Sequence, residues 1–294
     1  MGRARKHATR EAMQLAQGLP LYQQNRRRYR SPGGWPQWDC LMGLAAVVAE
    51  PGYQQIASTN GDYAMVAVSQ VMEFALRVEA PARWLAPTLV AELAATAPPP
   101  VTAVLIEQLP AVHLLLPPGA LLDDDDYSIA LITVAADAVA WGLAPGLSVA
   151  ATPGMANASM YGVRLGEDGE DNAATIHLPP EAEREEVQTT MERIRRVALG
   201  AMAVMAYEPE LVSSPSRRPS GHGFGVRRSR PAPQAPTWIG RDLTPLQPGD
   251  RAQSGPGAGV RAHWRRGHWH TVRHGPGRQR SRLQWYRPLL VGHA

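Results

Sequence analysis

The chain has 294 residues, enough for one large domain or two modest ones with a full core, and its 44% hydrophobic and 19% charged residues are those of a globular protein. That excludes a stapled mini-protein and a wholly disordered chain, and the single cysteine, Cys40, excludes an intramolecular disulfide and a multi-cysteine zinc site and fits a reduced, cytoplasmic setting. The net charge of +4 conceals a partition: residues 1–30 carry 8 Arg and Lys against 1 acid, residues 31–210 carry 7 against 23, and residues 211–294 carry 15 against 2. A basic start (+7), an acidic body (−16) and a basic tail (+13) suit either a polyanion partner, usually nucleic acid, or docking of the tails on the body.

In chain order, the basic start lacks the apolar run of a secretory signal. Asp62 is a plausible N-cap after Asn60-Gly61, and Met65, Met72, Phe74 and Ala75 continue a helix towards Val78. A further helix is predicted over residues 87–97, stopped by Pro98 to Pro100. Short aliphatic runs at residues 101–106, 111–116 and 128–134 predict strands, with a weaker one at 175–178. Asp123, Asp124, Asp125 and Asp126 lack the register of a calcium loop and predict a solvated turn before a strand; the acidic stretch from Gly166 to Asp171 has the same reading. The most apolar window, residues 127–152, contains Asp137 and the Pro145-Gly146 break, so no membrane span is expected. After Pro179-Pro180, Glu181, Glu183, Glu185 and Glu186 place negative charge in the first turns of a long helix. Met191, Ile194, Ala198, Ala201 and Met205 continue it at three- and four-residue steps to Tyr207, with Glu192 and Arg196 spaced to pair.

Residues 208–237 hold six prolines, three glycines and five arginines with few aliphatic residues to bury, which predicts a linker, either an electrostatic arm or a solubilising spacer. These elements predict an α+β fold, with helices packed on a small mixed sheet, a Pro/Arg-rich linker and a C-terminal basic, aromatic β-hairpin. The corresponding segments are a basic N-terminal segment (1–30), an acidic α+β body (31–207), the linker (208–237) and a basic aromatic module (238–294).

The densest chemical signal is in that last module, where Arg261, His263, Trp264, Arg265, Arg266, His268, Trp269, His270, Arg273, Arg278, Arg280, Arg282 and Trp285 interleave guanidinium, imidazole and indole groups on two extended runs. With a turn in residues 272–277, strand alternation puts Trp264, Arg266, His268 and His270 on one face and Arg265, Gly267 and Trp269 on the other. Guanidinium groups neutralise phosphates while indole and imidazole rings stack on bases, so these residues form a candidate nucleic-acid site. The pattern leaves other roles open: the tryptophans anchoring a small sheet on the acidic body, His268 and His270 as an acid/base pair for phosphodiester cleavage, and a metal site of His263, His268, His270 and His274 that lacks a Cys or carboxylate. No metal and no cofactor is expected.

The tail also resembles the family of the type V-A anti-CRISPR protein that lowers the messenger of its target nuclease, a family related to proteins of plasmids, prophages and other mobile elements. The resemblance rests on His263, the run Arg265-Arg266-Gly267-His268-Trp269-His270, the Gly275-x-Gly277 turn, and Trp285 with Pro288 and Val291. Weaker echoes are Trp84, Leu109-Pro110, the helix end Ala206-Tyr207-Glu208-Pro209-Glu210-Leu211, and the segment from Trp35 to Cys40. What the resemblance implies is a non-enzymatic, cytoplasmic regulator that recognises a protein segment such as the nascent chain of a type V CRISPR nuclease and promotes decay of its messenger. RNA or the ribosome would be the partner of the basic tail. A generic nucleic-acid-binding protein, a ribonuclease, and a structural phage or plasmid protein whose tail simply docks on the body are the competing readings of the same residues.

Overall fold

A computed structural model of the chain describes residues 14, 17–26, 38–61, 63–99, 111–122, 128–136, 146–153, 161–166, 184–213, 237–243, 263–265, 267–287 and 289–291. Its centre is set by two strands with no polar face. Strands β2 (Ala111–Leu115) and β3 (Ile129–Ala136) are buried at nearly every position, so neither side of the sheet they build can face water. They belong to a seven-stranded mixed sheet completed by β1 (Ala82–Leu85), β4 (Gly146–Pro153), β5 (Tyr161–Gly166), β6 (Val212–Ser213) and β7 (Thr237–Ile239), in the order β5-β4-β3-β2-β1-β7-β6. Strand β1 runs parallel to both β2 and β7, and the remaining pairs are antiparallel.

Helices cover both faces. On one side lie α1 (Pro20–Arg26), α2 (Trp38–Ala49), α3 (Pro51–Thr59) and α4 (Tyr63–Arg77), where Leu41, Val48, Met72 and Leu76 pack on Trp84, Leu115 and Leu131. Helix α1, inside the basic N-terminal segment, is held there by Tyr22 against Ala46 of α2. On the other side α5 (Pro87–Ala95) and α6 (Arg184–Tyr207) bring Leu89, Leu93, Ile194 and Val197 onto Val112, Leu114 and Ile132. The expected helices at 62–78, 87–97 and 181–207 correspond to α4, α5 and α6, and Arg196 pairs with Glu192 at 2.9 Å as its spacing predicts. The expected strands at 111–116 and 128–134 are β2 and β3. Asp62, the strands at 101–106 and 175–178, and the carboxylate run from Asp123 to Asp126 lie outside the described residues, although Leu122 and Ser128 bridge on either side of that run.

Local patterning does not predict helix α2, because WDCLMGLAAVVA is apolar on every side and shows no helical period; a helix of that kind is stable only when buried, as it is here. Strands β6 and β7 flank residues 214–236 and pair with each other, and residues 209–213, within the stretch read as linker, form a 3-10 turn (Pro209–Leu211) followed by β6. Gly240 then turns the chain at φ +72°, and a Cβ atom on it would stand only 2.8 Å from Leu89 Cβ of α5. Glycine is needed there for both reasons.

Among the buried polar side chains of the described residues, one is titratable. His113 of β2 is fully buried, with Nδ1 3.0 Å from Thr133 Oγ1, and the Thr133 hydroxyl donates to Met72 Sδ at 3.3 Å. Burial pushes the His113 pKa down from 6.5 to about 4. The fold therefore favours the neutral ring, so this contribution to stability is full above pH 6.5 and is lost as pH falls towards about 4, amounting to about 3 kcal/mol. Chemical denaturation across this range should show the loss, and His113→Gln should flatten the slope. Gly240→Ala should destabilise the protein by about 2–4 kcal/mol through left-handed strain and overpacking against Leu89, read as a lower urea midpoint at unchanged m-value.

Candidate nucleic-acid interface

Past Leu243 the chain forms an arginine- and histidine-rich antiparallel hairpin of β9 (His268–His274) and β10 (Arg280–Tyr286). Strand β8 (His263–Arg265) pairs with β11 (Leu289–Val291), and the two ladders keep one register, His263 opposite Val291 through His274 opposite Arg280. The turn differs from the expected one at 272–277. Val272 is β-branched and paired with Arg282 inside the ladder, so the strand continues to His274. The chain reverses at Gly275 to Gln279, where Gly275 (φ +82°) and Gly277 (φ +63°) take backbone conformations that side chains disfavour.

The expected alternation holds from His268 to His270, and it separates two chemistries. On one face Trp269 and Trp285 sit directly opposite each other with ring centroids 6.0 Å apart and planes 19° from parallel. Trp285 is 6% exposed and joins the core formed by α5, α6 and the sheet; Leu283, on the same face, is 7% exposed. The Trp285 backbone N–H donates to Glu208 Oε1 at 3.2 Å, just beyond the end of α6, and the Arg287 guanidinium lies 5.9 Å from the Trp285 ring centre. Arg287 is also the cation felt by Glu92 on α5 and by Glu208 and Glu210. Burial raises the Glu92 pKa, with Arg287 opposing the shift. Burial, and then the hydrogen bond that protonated Glu208 donates to the Glu210 carboxylate, raise the Glu208 pKa, while the same hydrogen bond holds Glu210 low. Acidic groups of the body thus meet a cation of the basic tail at the point where the indole is buried.

The opposite face looks outward. His268 stacks on Tyr286 at 5.2 Å with planes 10° apart, and His270 meets the same ring edge-on at 5.8 Å. Arg280, Arg282 and His274 share this face by register and are exposed, while Arg273 and Arg278 are exposed at the turn end. Of the predicted site residues, the structure therefore brings His268, His270, Arg280 and Arg282 together and assigns Trp285 to packing, where its ring is closed to a base. Trp269 is half-buried beside it. His263, Trp264 and Arg265 form β8, and Arg261 and Arg266 lie outside the described residues. Tyr286, Arg287 and Glu208 are site residues that the sequence reading misses. Tyr286 and Arg287 stand in the aromatic run, but only the tertiary structure reveals that Tyr286 meets the histidines and that Arg287 acts on the acids. Among the described residues no three His, Cys, Asp or Glu side chains are grouped to hold a metal ion, and no helix is long and apolar enough to cross a membrane.

The comparison with known families falls on this arrangement. The model of the AcrVA2-like family, anti-CRISPR type V subtype A2, matches residues 83–293, from β1 through the sheet and α6 to the end of the hairpin. The chain belongs to that anti-CRISPR family. Helices α1 to α4 lie outside the matched region. A solved structure described as the crystal structure of AcrVA2 aligns over 98% of this chain and 98% of its own, at 12% identity and a TM-score of 0.44. No curated protein matches the chain.

Within this AcrVA2-like chain the indole face anchors the hairpin. Trp285→Ala should cost about 3–5 kcal/mol and release β9–β10 from α6, whereas Trp285→Phe should retain most of the anchoring. Trypsin mapping reads the difference: cleavage after Arg273, Arg280 and Arg282 should accelerate strongly in the alanine variant and little in the phenylalanine one.

Proposed function

We propose that this protein lowers the expression of a type V CRISPR nuclease, with the acidic body binding a protein segment such as the nuclease's nascent chain and the basic hairpin contacting the RNA of the translating complex. The observation that carries this reading is the family match over residues 83–293, which takes in both the sheet and the hairpin. Two further features support it. The net charge of −16 over residues 31–210 against +13 over residues 211–294 gives body and tail different electrostatic partners. The hairpin, anchored through its indole face, leaves its arginine and histidine face accessible. In this reading the protein marks the message by holding nascent chain and RNA together, and cellular ribonucleases break the phosphodiester bonds.

The test is the abundance of a type V nuclease's messenger and protein in cells with and without this protein, using a translated message and one carrying an early stop codon. Loss of the translated message with the stop-codon message unchanged is the expected result. Equal loss of both would overturn recognition of the nascent chain, and no loss of either would overturn control of expression. Purified protein should leave labelled RNA intact with or without divalent metal; cleavage abolished by His268→Ala or His270→Ala would make the hairpin a ribonuclease instead.

A further inference from the structure

The two faces of the β9–β10 hairpin differ in what the fold asks of them. Trp269 and Trp285 are used in docking, and Leu283 is buried on the same face. The residues of the other face, His268, His270, His274, Arg280, Arg282 and Tyr286, are not needed for the core. Tyr286 is nevertheless a large ring left 42% exposed, and among the described residues it is the one aromatic among the exposed large hydrophobic side chains. It does not swing freely, because His268 lies parallel against one side at 5.2 Å and His270 closes an edge at 5.8 Å. An aromatic plane fixed before its ligand arrives loses little side-chain freedom on binding.

Charge on this face is of one sign. No Asp or Glu occurs anywhere in residues 251–294, which contain nine arginines. Arg280 and Arg282 stand two positions apart, so their Cα atoms are ~7 Å apart along one face, a spacing on the scale of consecutive phosphates of an extended strand. From Arg282 the same face continues through Gln284 to Tyr286, ~14 Å away. A fixed flat ring at one end of a track of guanidinium groups matches a planar base on a polyphosphate backbone. An acidic peptide would engage the arginines but would leave the ring unused. The base must also be free of a partner for its face to reach the ring, since a duplex keeps its bases stacked inside.

We propose that this face is a binding site for unpaired RNA, in which a base stacks on Tyr286 and the backbone runs along Arg282 and Arg280. The inference rests on the reading that the hairpin contacts RNA, and it adds which face, which ring and which form of RNA. Trp269 and Trp285, the strongest stacking candidates by residue type, are docking groups and take no base.

Binding of the full chain to a labelled uridylate oligomer and to a duplex RNA of equal length, titrated over a range of salt, tests it. The wild type should prefer the unpaired oligomer. Tyr286→Ala should weaken binding by about tenfold or more, and Tyr286→Phe, which keeps the ring, should restore it. The Arg280→Ala/Arg282→Ala pair should make the slope of log K against log salt shallower by about 1.4, roughly 0.7 for each phosphate of a single strand that is no longer neutralised. These side chains are exposed, so circular dichroism of all variants should match the wild type. Wild-type protein that binds neither RNA overturns the RNA reading and this site with it. Wild-type binding that is unchanged in Tyr286→Ala and in the arginine pair, or that favours the duplex, leaves the RNA reading standing and overturns this site.

Discussion

Everything else in the molecule follows from a sheet that has no face to show to water. Strands β2 and β3 place aliphatic side chains on both sides, so helices must close over each, and the chain supplies α2 and α4 on one side and α5 and α6 on the other. Strand β7, arriving after residues 214–236, extends the sheet beside β1 with Trp238 opposite Trp84 and Ile239 opposite Leu85, and carries β6 at the margin. Close approach is built in where the layers meet: Gly240 leaves room for Leu89, and Gly200 of α6 lies where a side chain would collide with Leu93 of α5.

The hairpin depends on the same core. Its indole face completes the apolar cluster at the end of α6, and the residues that hold it, Glu208 through the Trp285 backbone N–H and Arg287 over the Trp285 ring, join the acidic and basic halves of the sequence. Attraction between a tail of +13 and a body of −16 is unspecific in direction, and burial of one tryptophan is what gives it a fixed geometry. Once that face is spent on docking, period-two alternation leaves the imidazole, phenol and guanidinium groups on the other side. The fold thus turns a charge asymmetry into an oriented surface.

Membership of an anti-CRISPR family sits on the elements that make this architecture. The matched region begins within β1 and ends at the last hairpin strand, so it contains the whole sheet and both helices of the α5–α6 face, while the α1–α4 layer falls outside it. The sheet and its docked hairpin are therefore the part of the molecule tied to the family, and the helical layer packs over their Trp84 and Leu131 side.

By itself the sequence determined the local elements whose signals are local. Proline and glutamate at a helix start, apolar steps of three and four, and short aliphatic runs located α4, α5, α6, β2 and β3, and the alternation of histidine and tryptophan located the two faces of the hairpin. Helix α2 escaped because uniform burial erases the period that sequence reading uses, and the short strands β1, β6 and β7 escaped because two to four residues carry too little pattern and exist only through their pairing. The tertiary structure alone decided which aromatic groups are consumed by the core and which face outward. Trp285 and Tyr286 are adjacent and both able to stack on a base by residue type, and they part company only because strand alternation aims one indole at α6 and the neighbouring phenol at solvent.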